Sequence, residues 1–193
     1  MAALNYGWVQ HPKPGQRVSG DAWLVLEREE GILIALVDGL GSGEPAREAA
    51  ERAVQCLRQA TEWEVSRLLE ACHEALIPSR GAAMALLLIE PRPAHLAGVI
   101  VGNVEVRASQ SSRIQPIPAH GIVGAHYHPL RPFSCHYTRG ELVAVHTDGL
   151  SHAFDFDLEI ARVGPRPQDL ARHLAHHFGR PTDDVTVLVA ELP

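Results

Sequence analysis

The sequence predicts an α+β protein with two antiparallel sheets packed together and helices outside. Three observations carry this. The elements run as two strands, two helices, about six strands, a helix and a final strand, which is not an alternating βαβ order. Several strands, such as "LLLI" (86–89) and "LVAV" (142–145), are apolar on both faces and so expect cover on both sides. The first helix carries a stripe of alanines, which implies close packing against a sheet or another helix.

Taken in order, "DAWLVLERE" and "GILIALVD" read as strands around a Glu30-Gly31 turn. After "GLGSGE", Pro45 suits a first helical position. Ala46, Ala49, Ala50, Ala53, Val54 and Leu57 follow three-four spacing, with Arg47, Glu48, Glu51, Arg52 and Arg58 opposite. A second helix is expected over roughly 62 to 77, with Val65, Leu68, Leu69, Cys72 and Leu76 inward, ended by Pro78. Then come "AAMALLLIE", "HLAGVIVG", "VEVRAS", "RIQPIP", "FSCHYT" and "LVAVHT", separated by Pro, Gly, Ser and Asn. A third helix is expected over about 168 to 178, after Pro167, and "VTVLVAEL" is the final strand. "FDFD" (154–157) reads as a solvated loop.

With 193 residues and 46% hydrophobic content, the chain has the size and core of one domain. Its 21% charged residues are ordinary, which argues against wholesale disorder. A net charge of -6 argues against a nucleic-acid partner and suits a protein that holds cations. The cysteines, Cys56, Cys72 and Cys135, are scattered and odd in number, so neither a zinc knuckle nor a disulfide framework is indicated. Cys56 and Cys72 fall on expected helix faces and read as small core residues. "MAALNYGWVQ" is not a signal peptide, and no apolar run approaches the ~20 residues that span a bilayer. The expectation is a cytoplasmic protein with no membrane partner.

Two minor signals lead nowhere. Among the twelve histidines, neither His126 and His128 nor His173, His176 and His177 has the spacing of a tetrahedral zinc site. Ser42 lies in a Gly-rich turn, but there is no GxxxxGK[ST], and Lys13 is the only lysine, so P-loop nucleotide binding is rejected.

The informative residues are aspartates beside strand ends: Asp21 in "RVSGDAWLV", Asp38 in "LVDGLGSG", Asp148 in "HTDGL", and Asp183 with Asp184 in "PTDDVTVLV". A single Asp-Gly pair is usually a turn. The adjacent Gly39 and Gly149 are read here as letting the chain turn away with its backbone exposed. Clustered carboxylates raise one another's pKa unless cations neutralise them. Oxygen ligands select hard ions, magnesium or manganese, and a pair of such ions can activate water at phosphorus.

The stretches "VSGDAWLV", "ALVDGLGSGEPAREAA", "GAAMALLLIE", "AGVIVGNVEVR", "VAVHTDGL" and "PTDDVTVLVAEL" occur in the order found in the metal-dependent protein phosphatases of type 2C. The chain resembles that family, most closely its bacterial branch of sporulation and stress-sigma-factor regulators. The resemblance implies a four-layer α-β-β-α sandwich with two manganese or magnesium ions at one end of the sheets. By position, Asp38 would bridge both ions, and Gly39 would offer its carbonyl to one. Asp21 would serve that same ion, and Asp148 and Asp183 would hold the other. Asp38, Asp148 and Asp183 would be the catalytic acids. Asp184 stands where much of the family has Asn and would act from behind the ligands. The implied reaction is in-line hydrolysis of phosphoserine or phosphothreonine without a phosphoenzyme.

Gly102-Asn103 stands where much of the family has Gly-Asp, and Asn103 is expected to support the sheet. Arg17, four residues before Asp21, either grips substrate phosphate or is a solvated loop residue. The family pattern spans nearly all of 1–193, so the expectation is one minimal catalytic domain, acting as a monomer. It resembles phosphatases that reset phosphorylated stressosome proteins (STAS-domain scaffolds or antagonists). The alternatives are a phosphatase of another phosphorylated anti-sigma-factor antagonist, or a catalytically silent phosphoprotein-binding domain.

Overall fold

In the computed structural model, which describes residues 3–109, 114 and 116–193, three strands precede the first helix. They are β1 (Tyr6–His11), β2 (Asp21–Arg28) and β3 (Gly31–Gly39). Helices α1 (Glu44–Gln59) and α2 (Val65–Leu76) follow. Next come β4 (Ala82–Glu90), β5 (His95–Val101), β6 (Glu105–Ala108), β7 (Gly121–Ile122), β8 (His126–Tyr127), β9 (Phe133–His136) and β10 (Leu142–His146). Helices α3 (Phe156–Val163) and α4 (Pro167–Phe178) lead to β11 (Val185–Glu191).

One sheet has the order β1-β11-β10-β6 and the other β2-β3-β4-β5-β9. Every paired strand in both is antiparallel. Helices α1 and α2 cover the five-stranded sheet, and α4, backed by α3, covers the four-stranded one. The result is the expected four-layer α-β-β-α sandwich.

Three apolar layers fill the spaces between these four. Ala49, Ala53 and Leu57 of α1 meet Leu33, Ala35 and Val37 of β3 on one side of the five-stranded sheet. Between the sheets lie Ile34, Leu36, Leu87, Val145 and Leu188. Beyond the four-stranded sheet, Leu170 and Leu174 of α4 meet Val187 and Val189. Alternate residues of β3 thus enter different cores, and for that reason "LIALV" is apolar throughout.

Three readings need correction. The strand β1 was not anticipated; its Gly7 lies where a Cβ would collide with the backbone of Pro167 and Gln168 in α4. "FDFD" is not a loop, because Asp155 caps α3 by accepting from Leu158 N at 3.1 Å and Asp157 sits in the first turn. Of "RIQPIP", Arg113 and Gln115 lie outside the described residues, and the others form no strand. Among the described residues, no helix is long and apolar enough to cross a membrane.

Candidate metal centre

Four strand boundaries converge at one end of the sandwich. Asp21 opens β2 and faces Asp38 near the end of β3. In the other sheet His146 pairs with Val187, so Asp148 and Asp183, lying just outside β10 and β11, reach the same end. A cleft of about 230 Å³ opens there, lined by Asp38, Asp148, Asp183, Asn103, Gly41 and Ile122 among others. The structure therefore brings together the acids that sequence reasoning singled out.

Each acid is mounted differently. Asp21 is only 1% exposed and its Oδ2 accepts from Thr186 Oγ1 at 2.6 Å and Thr147 Oγ1 at 3.1 Å. Asp148 Oδ2 accepts from the side-chain amide of Asn103. Asn103 thus lines the cleft and orients an acid, rather than supporting the sheet as expected. Asp183 Oδ1 accepts from Asp184 N at 2.9 Å. Asp184 is buried, and its two oxygens accept from Lys13 N at 2.6 Å and Gly20 N at 2.8 Å. It fastens the loop that delivers Asp21.

The glycines serve a different purpose from the one read in the sequence. Both Gly39 and Gly149 are buried, and neither has positive φ. A side chain on Gly39 would collide with the Ala46 carbonyl in α1, and one on Gly149 with the Asp184 carbonyl. They allow neighbouring backbone to close in behind Asp38 and Asp148. The turning is done by Gly41 (φ +101) and Gly43 (φ +69), which lead the chain into α1.

The electrostatics follow from crowding. Burial, then the charges of Asp21, Asp148, Asp183 and Asp184, push Asp38 up to about 8. Burial raises Asp21 to about 7 against the Thr186 hydrogen bond that lowers it. Asp148 is also raised, first by burial and then by Asp183, with Asn103 and Arg180 opposing. Such repulsion is what a bound cation would relieve, and an oxygen-only donor set suits magnesium or manganese. Among the described residues, no three His, Cys, Asp or Glu side chains are already drawn up around a common point as metal ligands. The fit rests on the donor chemistry and the mutual repulsion, not on a preformed cage.

Arg17 is exposed on the loop between β1 and β2, not in the cleft lining. Two arginines near the site were missed. Arg180 acts on Asp148, and the guanidinium of Arg80 lies beside Gly41 in the cleft wall. Nothing in their sequence context marked them, since each sits in an ordinary polar turn.

The chain matches the family model described as Stage II sporulation protein E (SpoIIE) over residues 28–193. It is 24% identical over 182 residues to phosphoserine phosphatase RsbX of Bacillus subtilis (strain 168), covering 93% of this chain and 90% of that one. It is 30% identical, with TM-score 0.90, to a chain solved in work on the bacterial stressosome as a modular system adapted to control secondary messenger signalling. That match covers 97% of this chain and 99% of the other. A structure of RsbX in complex with magnesium superposes with TM-score 0.88 at 23% identity, covering 100% of this chain and 97% of that one.

Proposed function

The chain belongs to the SpoIIE family, and from that premise we infer that it is a protein-serine/threonine phosphatase working in a bacterial stressosome pathway. Its substrate is a phosphorylated STAS-domain scaffold or antagonist of that assembly. The observation that carries this reading is the convergence of Asp38, Asp148 and Asp183 on one cleft, with Asp21 buried directly behind Asp38 and Asp38 raised to about 8. A silent phosphoprotein-binding domain would have no reason to keep so costly a cluster.

We assign the holding of two manganese or magnesium ions to Asp38, the Gly39 carbonyl, Asp21, Asp148 and Asp183, with Asp184 acting through the Lys13–Gly20 loop. When bound, such ions polarise a phosphoryl group and supply activated water. The chain's own residues set the geometry. Thr147 and Thr186 fix the rotamer of Asp21, and Asn103 fixes that of Asp148. Strand-end mounting limits the drift of the acids, as positioning a small reacting group requires. Arg80 and Arg180 add positive charge at the rim, where a phosphate dianion enters. A cleft of about 230 Å³ suits a single phosphorylated side chain presented by a folded protein.

The whole of residues 1–193 acting as one catalytic domain, a monomeric state and a cytoplasmic location complete the proposal. The decisive experiment measures phosphate release from a phosphorylated stressosome scaffold protein, a phosphorylated anti-sigma-factor antagonist and a phosphoserine peptide. Release should require manganese or magnesium, cease in excess chelator and be fastest on the scaffold. Calcium alone should not substitute, because it takes more and longer bonds. Faster release from the antagonist would favour the second substrate. Tight binding without release would establish the silent domain, and full activity in chelator would refute the metal assignment.

A further inference from the structure

Away from the cleft, two cysteines meet across a helix pair. Cys56 lies on α1 and Cys72 on α2. Cys72 Sγ points to the carbonyl of Ala53 at 3.9 Å, and Ala53 lies three residues before Cys56 on the same helix, so the two cysteines come together where α2 packs on α1. Their environments differ sharply. Cys72 is fully buried in the core beneath the helices, whereas Cys56 is half-buried. A surface groove of about 580 Å³ reaches Cys56, with Arg52, Gln55, Leu68 and Ala71 among its walls, but does not reach Cys72.

We propose that Cys56 and Cys72 are an oxidisable thiol pair, in which Cys56 is attacked first by a hydroperoxide and Cys72 closes the disulfide. The thiol that solvent reaches is also the one whose ionisation is favoured. The neighbouring Cys72 brings Cys56 down to about 7 against burial and Glu74, while Cys56 and then burial push Cys72 up. Thiolate character and access together decide which cysteine reacts. The Cys56 thiolate attacks one peroxide oxygen. The S–O bond forms, the O–O bond breaks, and the departing oxygen takes a proton from water. The Cys72 sulfur then displaces the hydroxyl of the sulfenic acid, and its own proton leaves with that hydroxyl as water. The two sulfurs lose two electrons in total, and the peroxide gains them. Cys72 needs no access of its own, because its target is brought to it by the packing of α1 on α2.

The product would tie the two helices that cover the five-stranded sheet. Cys135, on β9, has no part in this, and burial raises its thiol. The proposal stands independently of the metal assignment.

The test uses the reduced full chain and hydrogen peroxide, followed by thiol counting and peptide mass mapping. Free thiols should fall from three to one, with the α1 and α2 peptides joined and Cys135 still alkylatable. The oxidised protein should melt about 5–10 °C higher, as expected for a short closed loop. At pH 7, iodoacetamide should modify Cys56 at least about tenfold faster than Cys135. In Cys72→Ala, peroxide should leave Cys56 as a sulfenic acid that dimedone traps. Three free thiols after peroxide, a linkage through Cys135, or Cys56 reacting no faster than Cys135 would overturn the proposal. Should Cys72→Ala not fold, mapping of the wild-type protein decides.

Discussion

Asp21 and Asp38 stand directly opposite each other in the β2–β3 register, and after burial the charge of Asp21 is the largest influence raising Asp38 to about 8. The two acids, with Asp148 and Asp183 beyond them, form a titrating group whose members cannot all ionise cheaply without a cation.

Stability of the metal-free protein should therefore depend on pH in a defined direction. Folded Asp21 and Asp38 bind protons more tightly than the unfolded chain, up to about 7 and about 8 from 3.8. Well below pH 3.8 both states are protonated and nothing is lost. As pH rises from 4 toward 8 the unfolded carboxyls ionise freely and the folded ones do so at a cost, so stability falls. The loss is on the order of a few kcal/mol. The check is to melt the chelated protein between pH 5.5 and 8.5 and compare it with Asp38→Asn. The advantage of the variant should widen as pH rises. A constant difference would remove Asp38 as the group responsible.

Asp38→Asn should abolish turnover while leaving metal-free stability at pH 8 equal or higher, since asparagine imitates the protonated acid without its charge. Phosphate release and thermal melting of one preparation suffice. An active variant, or one that does not fold, would contradict the role assigned to Asp38.

Thr186→Val keeps the shape of the side chain but removes the 2.6 Å hydrogen bond to Asp21 Oδ2. Loss of such support behind a ligand typically weakens metal binding about ten- to a hundredfold. A manganese titration of activity should show half-saturation displaced by that amount, with turnover at saturating metal much less affected. An unmoved titration curve would mean that Thr147 alone holds Asp21.

Arg17 is exposed on its loop, so Arg17→Ala should leave melting unchanged. If the side chain swings in to grip phosphate, kcat/KM should fall roughly ten- to a hundredfold with metal affinity intact. Arg17→Lys should recover only part of that loss, because lysine cannot make the planar fork. Wild-type kinetics for Arg17→Ala would leave phosphate contacts to Arg80, Arg180 and the ions.

Much of this was legible in the chain. "AAMALLLIE" and "VTVLVAEL" became β4 and β11 almost to the residue, because each is a mostly apolar run bounded by turn-forming residues. The acids were found because strand-ending aspartates are scarce and four of them fell at comparable places. What escaped was whatever depends on a distant neighbour. β1 was overlooked because Gly7 weakens a strand pattern, and only the backbone of α4 explains it. α3 was overlooked because "FDFD" looks like polar loop, although Asp155 is an ordinary helix cap. Asn103 gave no hint of its reach to Asp148, 45 residues along the chain. Cys56 and Cys72 looked like two separate core residues until α1 was laid on α2.

The position of β11 has a consequence for the timing of synthesis. It is the strand furthest along the chain, yet it sits between β1 and β10 in the interior of its sheet. Until it arrives, β1 has no partner in the sheet, and Asp183, which precedes it, is missing from the acidic end. A nascent chain still short of residue 183 can thus assemble the five-stranded sheet and its two helices, but neither the complete second sheet nor the full set of acids. A product truncated before Asp183 would lack both a finished second sheet and one of the acids of the cleft. The same insertion closes the longest-range contacts of the fold last, which points to a slow final step with strand edges exposed while it waits.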